Sequence, residues 1–383
     1  MSLPQLIMLP GPTNVPPRVY AAMCKPMINH RGAEFHDLYS RMLDNGKKVF
    51  QTESDLFVLT SSGTGGVECA ASNILQPGEK ILVPVGGTFG ERLASAFKIY
   101  GAQVVELKVE MGSAPTSEQV QDVLKREKDI KAVAVVYNET STGTTVRDLP
   151  EIGKAAKENG ALFIVDAISV LGGDDLPVDR WGIDVCITAS QKALATPPGL
   201  ALISVSKNAW AMIERAKPRT EYFDLINHRK FRDEKKETPF TPAVNLFFAM
   251  DEAFQMILEM GVDSWIMRHK KAAKAYYAAF RGMGLSLFAE EKSRSTVVIA
   301  VNMPPNISAK DLRDKLRKKY GVVVAGGFGN LKDSIFRVGN MGIVTPREVI
   351  TTVSAVEAVL FELGYPGTLG SGLKAAVPLL ADL

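Results

Sequence analysis

From about Asp55 to Val205 the chain alternates short apolar runs with amphipathic stretches, and that alternation admits few folds. The strand candidates are Leu56–Leu59, Lys80–Val83, Val104–Leu107, Ala132–Tyr137, Leu162–Val165, Val185–Thr188 and Leu200–Val205. Several are apolar at every position, which suits strands covered on both faces, as in a mostly parallel sheet flanked by helices. Helix signals fall between them. Thr116-Ser-Glu-Gln119 is a capping box ahead of a Val120–Lys125 helix. Pro150 opens another helix and Gly160 lies just past its end. The pattern predicts an α/β fold with a seven-stranded, mostly parallel sheet and right-handed crossovers.

After Arg215 the pattern changes. Glu221 to Thr238 carries charges of both signs and reads as a surface excursion, and a long helical pattern broken near Gly261 runs from Val244 to Arg281. A compact second unit follows: a strand at Val297–Val301, a helix at Ser308–Tyr320 ended by Gly321, strands at Val322–Ala325 and Ile335–Val338, and a last long helix at Thr345–Leu363. The expected division is an N-terminal arm (1–20), a large domain (21–260) and a smaller C-terminal α/β domain (261–383). The arm, with Pro10, Pro12, Pro16 and Pro17, is too proline-rich for an early strand or helix. The tail after Gly364 is expected to pack on a surface or fray.

Composition excludes several classes of function. A net charge of +3 over 383 residues gives no support to binding nucleic acid or an anionic membrane. No apolar run approaches the ~18–20 residues of a membrane helix, and the stretch from Met1 lacks the basic start and long apolar core of a secretory signal. Three widely spaced cysteines do not make a disulfide framework, which points to a reducing cytoplasm. The four histidines are scattered, so no metal site is expected.

The residues that carry chemistry cluster where strands end. Ser61-Ser62-Gly63-Thr64-Gly65-Gly66 follows the first strand and opens a helix, a turn that offers free N–H groups and hydroxyls to a phosphate. It is not a nucleotide P-loop, because no Gly-Lys-Ser/Thr follows. Phe89, in Gly86-Gly87-Thr88-Phe89-Gly90, is an aromatic placed to stack on a planar ring. Tyr137-Asn138-Glu139-Thr140-Ser141-Thr142-Gly143 puts polar groups, Thr140 among them, at the carboxyl edge of the sheet, where ligands of open α/β sheets bind. Asp166 ends a strand as apolar as Leu-Phe-Ile-Val, so it needs a partner. Lys192 closes the segment Ser190-Gln191-Lys192 after the next strand. Arg337 sits alone in the apolar strand Ile335-Phe-Arg-Val-Gly339, where it either clamps a substrate carboxylate or makes a structural ion pair. Each signal alone has a plain structural alternative: a turn, a core aromatic, a surface lysine. Their order along one chain is far more specific. A lysine and an aspartate ending neighbouring buried strands are the pair that pyridoxal 5′-phosphate chemistry requires. One forms the Schiff base and the other keeps the pyridine nitrogen protonated.

These residues resemble the class V, fold-type I pyridoxal-phosphate aminotransferases, most of all the alanine–glyoxylate and serine–pyruvate group. The similarity runs from Leu9-Pro-Gly-Pro-Thr-Asn-Val-Pro-Pro17 through the Arg337 segment, and is most specific in the arm, Ser141-Thr-Gly143, Val165-Asp166, Leu171-Gly-Gly173, Ser190-Gln-Lys-Ala-Leu194 and Pro197-Pro-Gly199. The resemblance implies that Lys192 is catalytic and bound to the cofactor. It implies that Asp166 pairs with the ring nitrogen, and that Ser62, Gly63, Thr64 and Gln191 hold the phosphate. Phe89 would stack where the family often has tryptophan, Thr140 would contact the phenolic oxygen, and Arg337 would bind the substrate carboxylate. Thr241, in Thr238-Pro-Phe-Thr241, would reach the phosphate of a partner subunit, which implies a homodimer; relatives can carry tyrosine where Thr238 stands. The implied reaction moves an amino group from alanine or serine to glyoxylate or pyruvate with ping-pong kinetics. Alternatives are phosphoserine aminotransferase, a cysteine desulfurase (although no cysteine follows Cys186), or a silent scaffold on the same fold.

Overall fold

The computed structural model describes residues 5–381 and 383. Residues 1–4, which hold the first part of the arm and of the Met1–Ile7 stretch read for a secretory signal, lie outside the described residues. In the first half of the chain the strands are β1 (Leu6–Ile7), β2 (Asp55–Thr60), β3 (Lys80–Val85), β4 (Gln103–Lys108), β5 (Ile130–Val136), β6 (Asn138–Glu139), β7 (Thr144–Thr145), β8 (Leu162–Asp166), β9 (Val185–Ala189) and β10 (Leu200–Val205). The helices are α1 (Pro17–Met23), α2 (Ala33–Phe50), α3 (Gly63–Ile74), α4 (Thr88–Ile99), α5 (Ser117–Arg126), α6 (Leu149–Glu158), α7 (Lys207–Ala216), α8 (Leu225–Lys235), α9 (Val244–Met260) and α10 (Val262–Gly282). Then follow β11 (Val298–Asn302), α11 (Ala309–Tyr320), β12 (Val322–Val323), β13 (Ala325–Gly326), β14 (Ile335–Gly339), α12 (Pro346–Glu362) and α13 (Ser371–Ala376).

All seven strand candidates of the first half enter one sheet of order β2-β10-β9-β8-β5-β3-β4. β10 runs antiparallel to both neighbours and the other pairings are parallel. Strand residues alternate between faces. In β8, Phe163 and Val165 enter one apolar core while Leu162 and Ile164 enter the other. A strand between two helical layers must therefore be apolar throughout, which is the pattern its sequence shows. The Thr116–Gln119 capping box forms at the start of α5, and Gly160 takes a left-handed φ of 69° just past α6.

The C-terminal sheet, β11-β14-β13, is antiparallel and packs its apolar face against residues of α10, α11 and α12. Among the described residues no helix is long and apolar enough to cross a membrane.

Three expectations need correction. The arm does form a strand, because Leu6 and Ile7 pair in parallel with Val322 and Val323; a helix also begins at Pro17, where proline at the first position costs no hydrogen bond. The stretch Val322–Ala325 is not one strand: β12 pairs with the arm and β13 with β14. The charged run Glu221–Thr238 contains a full helix, α8, whose N-cap Asp224 accepts from Ile226 and Asn227. Of the two expectations for the tail, packing is the one that holds for its described residues: Ala376 and Leu380 enter the C-terminal core, and Glu357 accepts hydrogen bonds from Gly370, Ser371 and Gly372 at the start of α13.

The arm then crosses the end of β14. Gly339 N donates to Met8 O at 2.8 Å, and a Cβ at Gly339 would lie 2.0 Å from the Leu9 carbonyl oxygen. Gly339→Ala should therefore push the arm outward and cost about 1–3 kcal/mol, as overpacking of a filled site does. Urea unfolding of the two proteins measures it.

Candidate active site

The carboxyl ends of the parallel strands converge on one cavity of about 770 Å³. β2 runs into α3, whose N-cap Ser62 makes no side-chain capping bond, so the first amides of the helix are left for another acceptor. Ser62, Gly63 and Thr64 line the cavity on this side. β3 leads through Gly86 and Gly87 into α4 and places Phe89 on the wall. β5 continues into the β6–β7 hairpin, with Thr140 at its turn. β8 ends at Asp166, and β9 delivers Gln191 and Lys192. Arg337 comes from the C-terminal sheet and faces the same space. Nine of the residues drawn from the sequence thus share one cavity. The tenth, Thr241, is exposed and lies outside it within one chain, in a shallow depression with Thr238 and Tyr222.

The turn that carries Lys192 is fixed at both ends. Ser190 Oγ donates to the Pro197 carbonyl at 2.7 Å and accepts from Leu200 N at 3.2 Å. Thr13 Oγ1 donates to the Lys192 carbonyl at 3.3 Å. The Lys192 amine donates to the Pro10 carbonyl at 2.6 Å. Gly11 makes this approach feasible: its φ is 97°, and a Cβ there would sit 2.5 Å from Lys192 Nζ. Burial pulls the Lys192 amine down to about 8, with Asp166 opposing and Arg337 adding to the fall. Burial pushes the Asp166 carboxyl up to about 7, against the hydrogen bond it accepts from Ile168 N at 2.9 Å; the Glu139 charge raises it further and Lys192 lowers it.

Arg337 is 4% exposed. Its Nε donates to the Gly326 carbonyl at 2.8 Å and its Nη1 to the Thr140 carbonyl at 2.7 Å. These partners are carbonyls, so the guanidinium keeps its charge unneutralised by a bonded carboxylate. Burial lowers it to about 10, with Glu139 opposing. The Phe328 ring covers it at 4.5 Å and meets Phe89 edge-on at 6.0 Å.

Three parts of the site had no role in the sequence reading: the Pro10 carbonyl, Phe328 and Glu139. Glu139 carried a signal, since like Asp166 it follows an apolar strand into the buried edge. Pro10 and Phe328 did not, because their partners are distant in sequence.

With this geometry in view, the chain matches the model of the family described as aminotransferase class-V over residues 10–337. The chain belongs to the class-V aminotransferases. It is 44% identical to an uncharacterized aminotransferase of Methanocaldococcus jannaschii, over 98% of this chain and 97% of that protein. It is 38% identical to a protein of Synechococcus sp. named soluble hydrogenase, small subunit, over 98% of each. The crystal structure of ureidoglycine–glyoxylate aminotransferase from Bacillus subtilis superposes with a TM-score of 0.95 at 31% identity, covering 99% of this chain and 98% of that one.

The cofactor of this class-V aminotransferase is pyridoxal 5′-phosphate. The cavity fits it in kind: a half-buried amine, a buried acid with no salt-bridge partner among the described residues, an uncapped helix start and an aromatic wall.

The Asp166 carboxyl generates a pH test. Its folded value near 7 lies above the ordinary ~3.9 of a free aspartate, so the folded state holds the proton more tightly. Stability is therefore lost as pH rises from about 4 to about 7, and the penalty is complete above that window. Asp166→Asn should stabilise the cofactor-free protein at pH 8 and change it little near pH 4, as read by urea unfolding. Equal effects at the two pH values would show that folding does not shift the Asp166 carboxyl.

Proposed function

We propose that this enzyme moves the amino group of a small amino acid, alanine or serine, to a small 2-oxo acid, glyoxylate or pyruvate. Two half-reactions at one site give ping-pong kinetics. The reading rests above all on Lys192, Asp166 and Arg337 facing one cavity at the carboxyl edge of the sheet. Its glyoxylate acceptor is supported by the Bacillus subtilis relative, which is named for that acid. Bound pyridoxal 5′-phosphate supplies an aldehyde that captures amines and a ring that takes up the charge left when the α-proton departs.

The chain's own residues divide the remaining work. Lys192 would hold the cofactor through its aldehyde and, when free, its amine would move a proton at the substrate α-carbon, as general base and then acid. An amine brought down to about 8 is a better base near neutrality than an ordinary lysine. Asp166 would hold the pyridine N–H, which would give its buried carboxyl the cationic partner that burial demands. Ser62, Gly63, Thr64 and Gln191 hold the phosphate with hydroxyl, amide and backbone N–H donors. Phe89 and Thr140 line the same cavity, where Phe89 would stack on the cofactor ring and Thr140 would donate to its phenolic oxygen. Arg337 binds the α-carboxylate with the charge that its carbonyl partners leave available. Thr241 of the partner subunit completes the phosphate site, which makes the working unit a homodimer. The reading keeps an arm (1–20), a large domain (21–260) and a small domain (261–383); most apolar residues of the last share a core of their own, while Trp265, Val297, Val298 and Met341 pack into the large domain's core. Free cysteines support a reducing, cytoplasmic setting.

Lys192→Ala should abolish turnover and the visible absorbance of the bound cofactor; near-normal turnover would rule out its role. Arg337→Gln should raise KM for carboxylate substrates roughly tenfold to hundredfold, the worth of a charged hydrogen bond. Steady-state kinetics with alanine and glyoxylate checks this.

A further inference from the structure

Glu139 is a buried carboxylate to which amino transfer assigns no step. It is 7% exposed, and among the described residues no lysine or arginine hydrogen-bonds to it. Its oxygens accept from Phe89 N at 3.0 Å, Gly90 N at 2.9 Å, Ser141 N at 3.1 Å and the Ser141 hydroxyl. Ser141 Oγ in turn accepts from Thr88 N at 3.1 Å. Thr88, Phe89 and Gly90 are the first residues of α4, whose amides have no partner inside the helix. A carboxylate there also meets the positive end of the helix dipole.

The origin of this cap matters more than its presence. An ordinary N-cap is the residue just before the helix. Here that residue is Gly87, which has no side chain, and the space its Cβ would take is filled by Ser141 Oγ and the Glu139 carboxyl, 2.5 and 2.6 Å away. The capping group comes from a different strand end, 50 residues along the chain from Phe89. A local cap would fix only the helix. This one fixes the helix start against the neighbouring wall of the cavity. The next residue is Thr140, whose carbonyl holds Arg337 Nη1 at 2.7 Å. One carboxylate therefore links the wall that carries Phe89 to the wall that orients Arg337.

We propose that Glu139 is a positioning residue for amino transfer: it sets the Phe89 ring against the cofactor ring and seats the Thr140 carbonyl under Arg337, without touching cofactor or substrate. This rests on the reading that Phe89 stacks on the cofactor. It acts through Phe89, so the two residues must be energetically coupled.

A double-mutant cycle tests the coupling. Cofactor-free wild type, Phe89→Ala, Glu139→Ala, Glu139→Gln and the two double variants are titrated with pyridoxal 5′-phosphate, and affinity is read by tryptophan fluorescence. The circular dichroism of the bound cofactor reports ring orientation, and Tm of the cofactor-free proteins reports stability. Phe89→Ala should weaken affinity up to about tenfold, the worth of one aromatic stack. Glu139→Ala should weaken it similarly and reduce the dichroism, with Glu139→Gln between it and wild type. Adding Phe89→Ala to Glu139→Ala should then change affinity by less than about twofold, because a ring already loose has little left to lose. If the two effects multiply in the double variant, Glu139 is merely structural and the proposal fails while the stacking reading stands. If Phe89→Ala alone leaves affinity unchanged, the stacking reading fails and takes the proposal with it. Should Glu139→Ala not fold, the Glu139→Gln cycle decides by the same criterion.

Discussion

A half-buried amine and a buried carboxyl share one cavity, and the architecture around them serves that arrangement. Taking an ion out of water costs several kcal/mol even after relaxation. Lys192 and Asp166 therefore sit where each offsets part of the other's penalty, and both are displaced toward neutrality. The parallel sheet makes the arrangement feasible. Adjacent strands β8 and β9 run the same way, so their ends deliver Asp166 and the Lys192 turn to the same edge. An antiparallel neighbour would send one of them to the far side.

Much of this was visible in the sequence because burial on both faces leaves a plain mark. Leu162–Val165 is apolar at each position, so the carboxylate that ends it is conspicuous, and the same logic exposes Lys192 after Val185–Thr188. Arg337 was equally conspicuous, but its two structural readings could be separated only by seeing that carbonyls of Gly326 and Thr140 surround it. The helix α8 was hidden because its charges also pack. Arg232 lies 4.7 Å over Phe57 and pairs with Asp55 at 2.9 Å, and Arg229 lies 3.9 Å over Trp210. Long cationic side chains cover apolar surface with their stems, so a polar pattern does not mean a free loop. Glu139 went unassigned for another reason. Its partners are backbone amides of a helix whose own preceding residue is glycine, and amides have no sequence signature.

The arm was the least legible part. Leu6 and Ile7 look unremarkable beside four prolines, and their partners Val322 and Val323 stand near the other end of the chain. Such pairing is set by tertiary context and leaves no local pattern. It also divides a stretch that reads as one strand, because Val322–Val323 and Ala325–Gly326 serve different neighbours.

The same arm ties together the most distant parts of the molecule. It is stitched to β12 at Leu6 and Ile7, touches Gly339 through Met8, and two residues later its Pro10 carbonyl holds the lysine amine. The segment from Leu6 to Pro10 is thus a component of the reactive centre. A substitution that unpairs it from β12 would reach the lysine's seat from more than 100 residues away in sequence, so the remote valines Val322 and Val323 belong to the lysine's support.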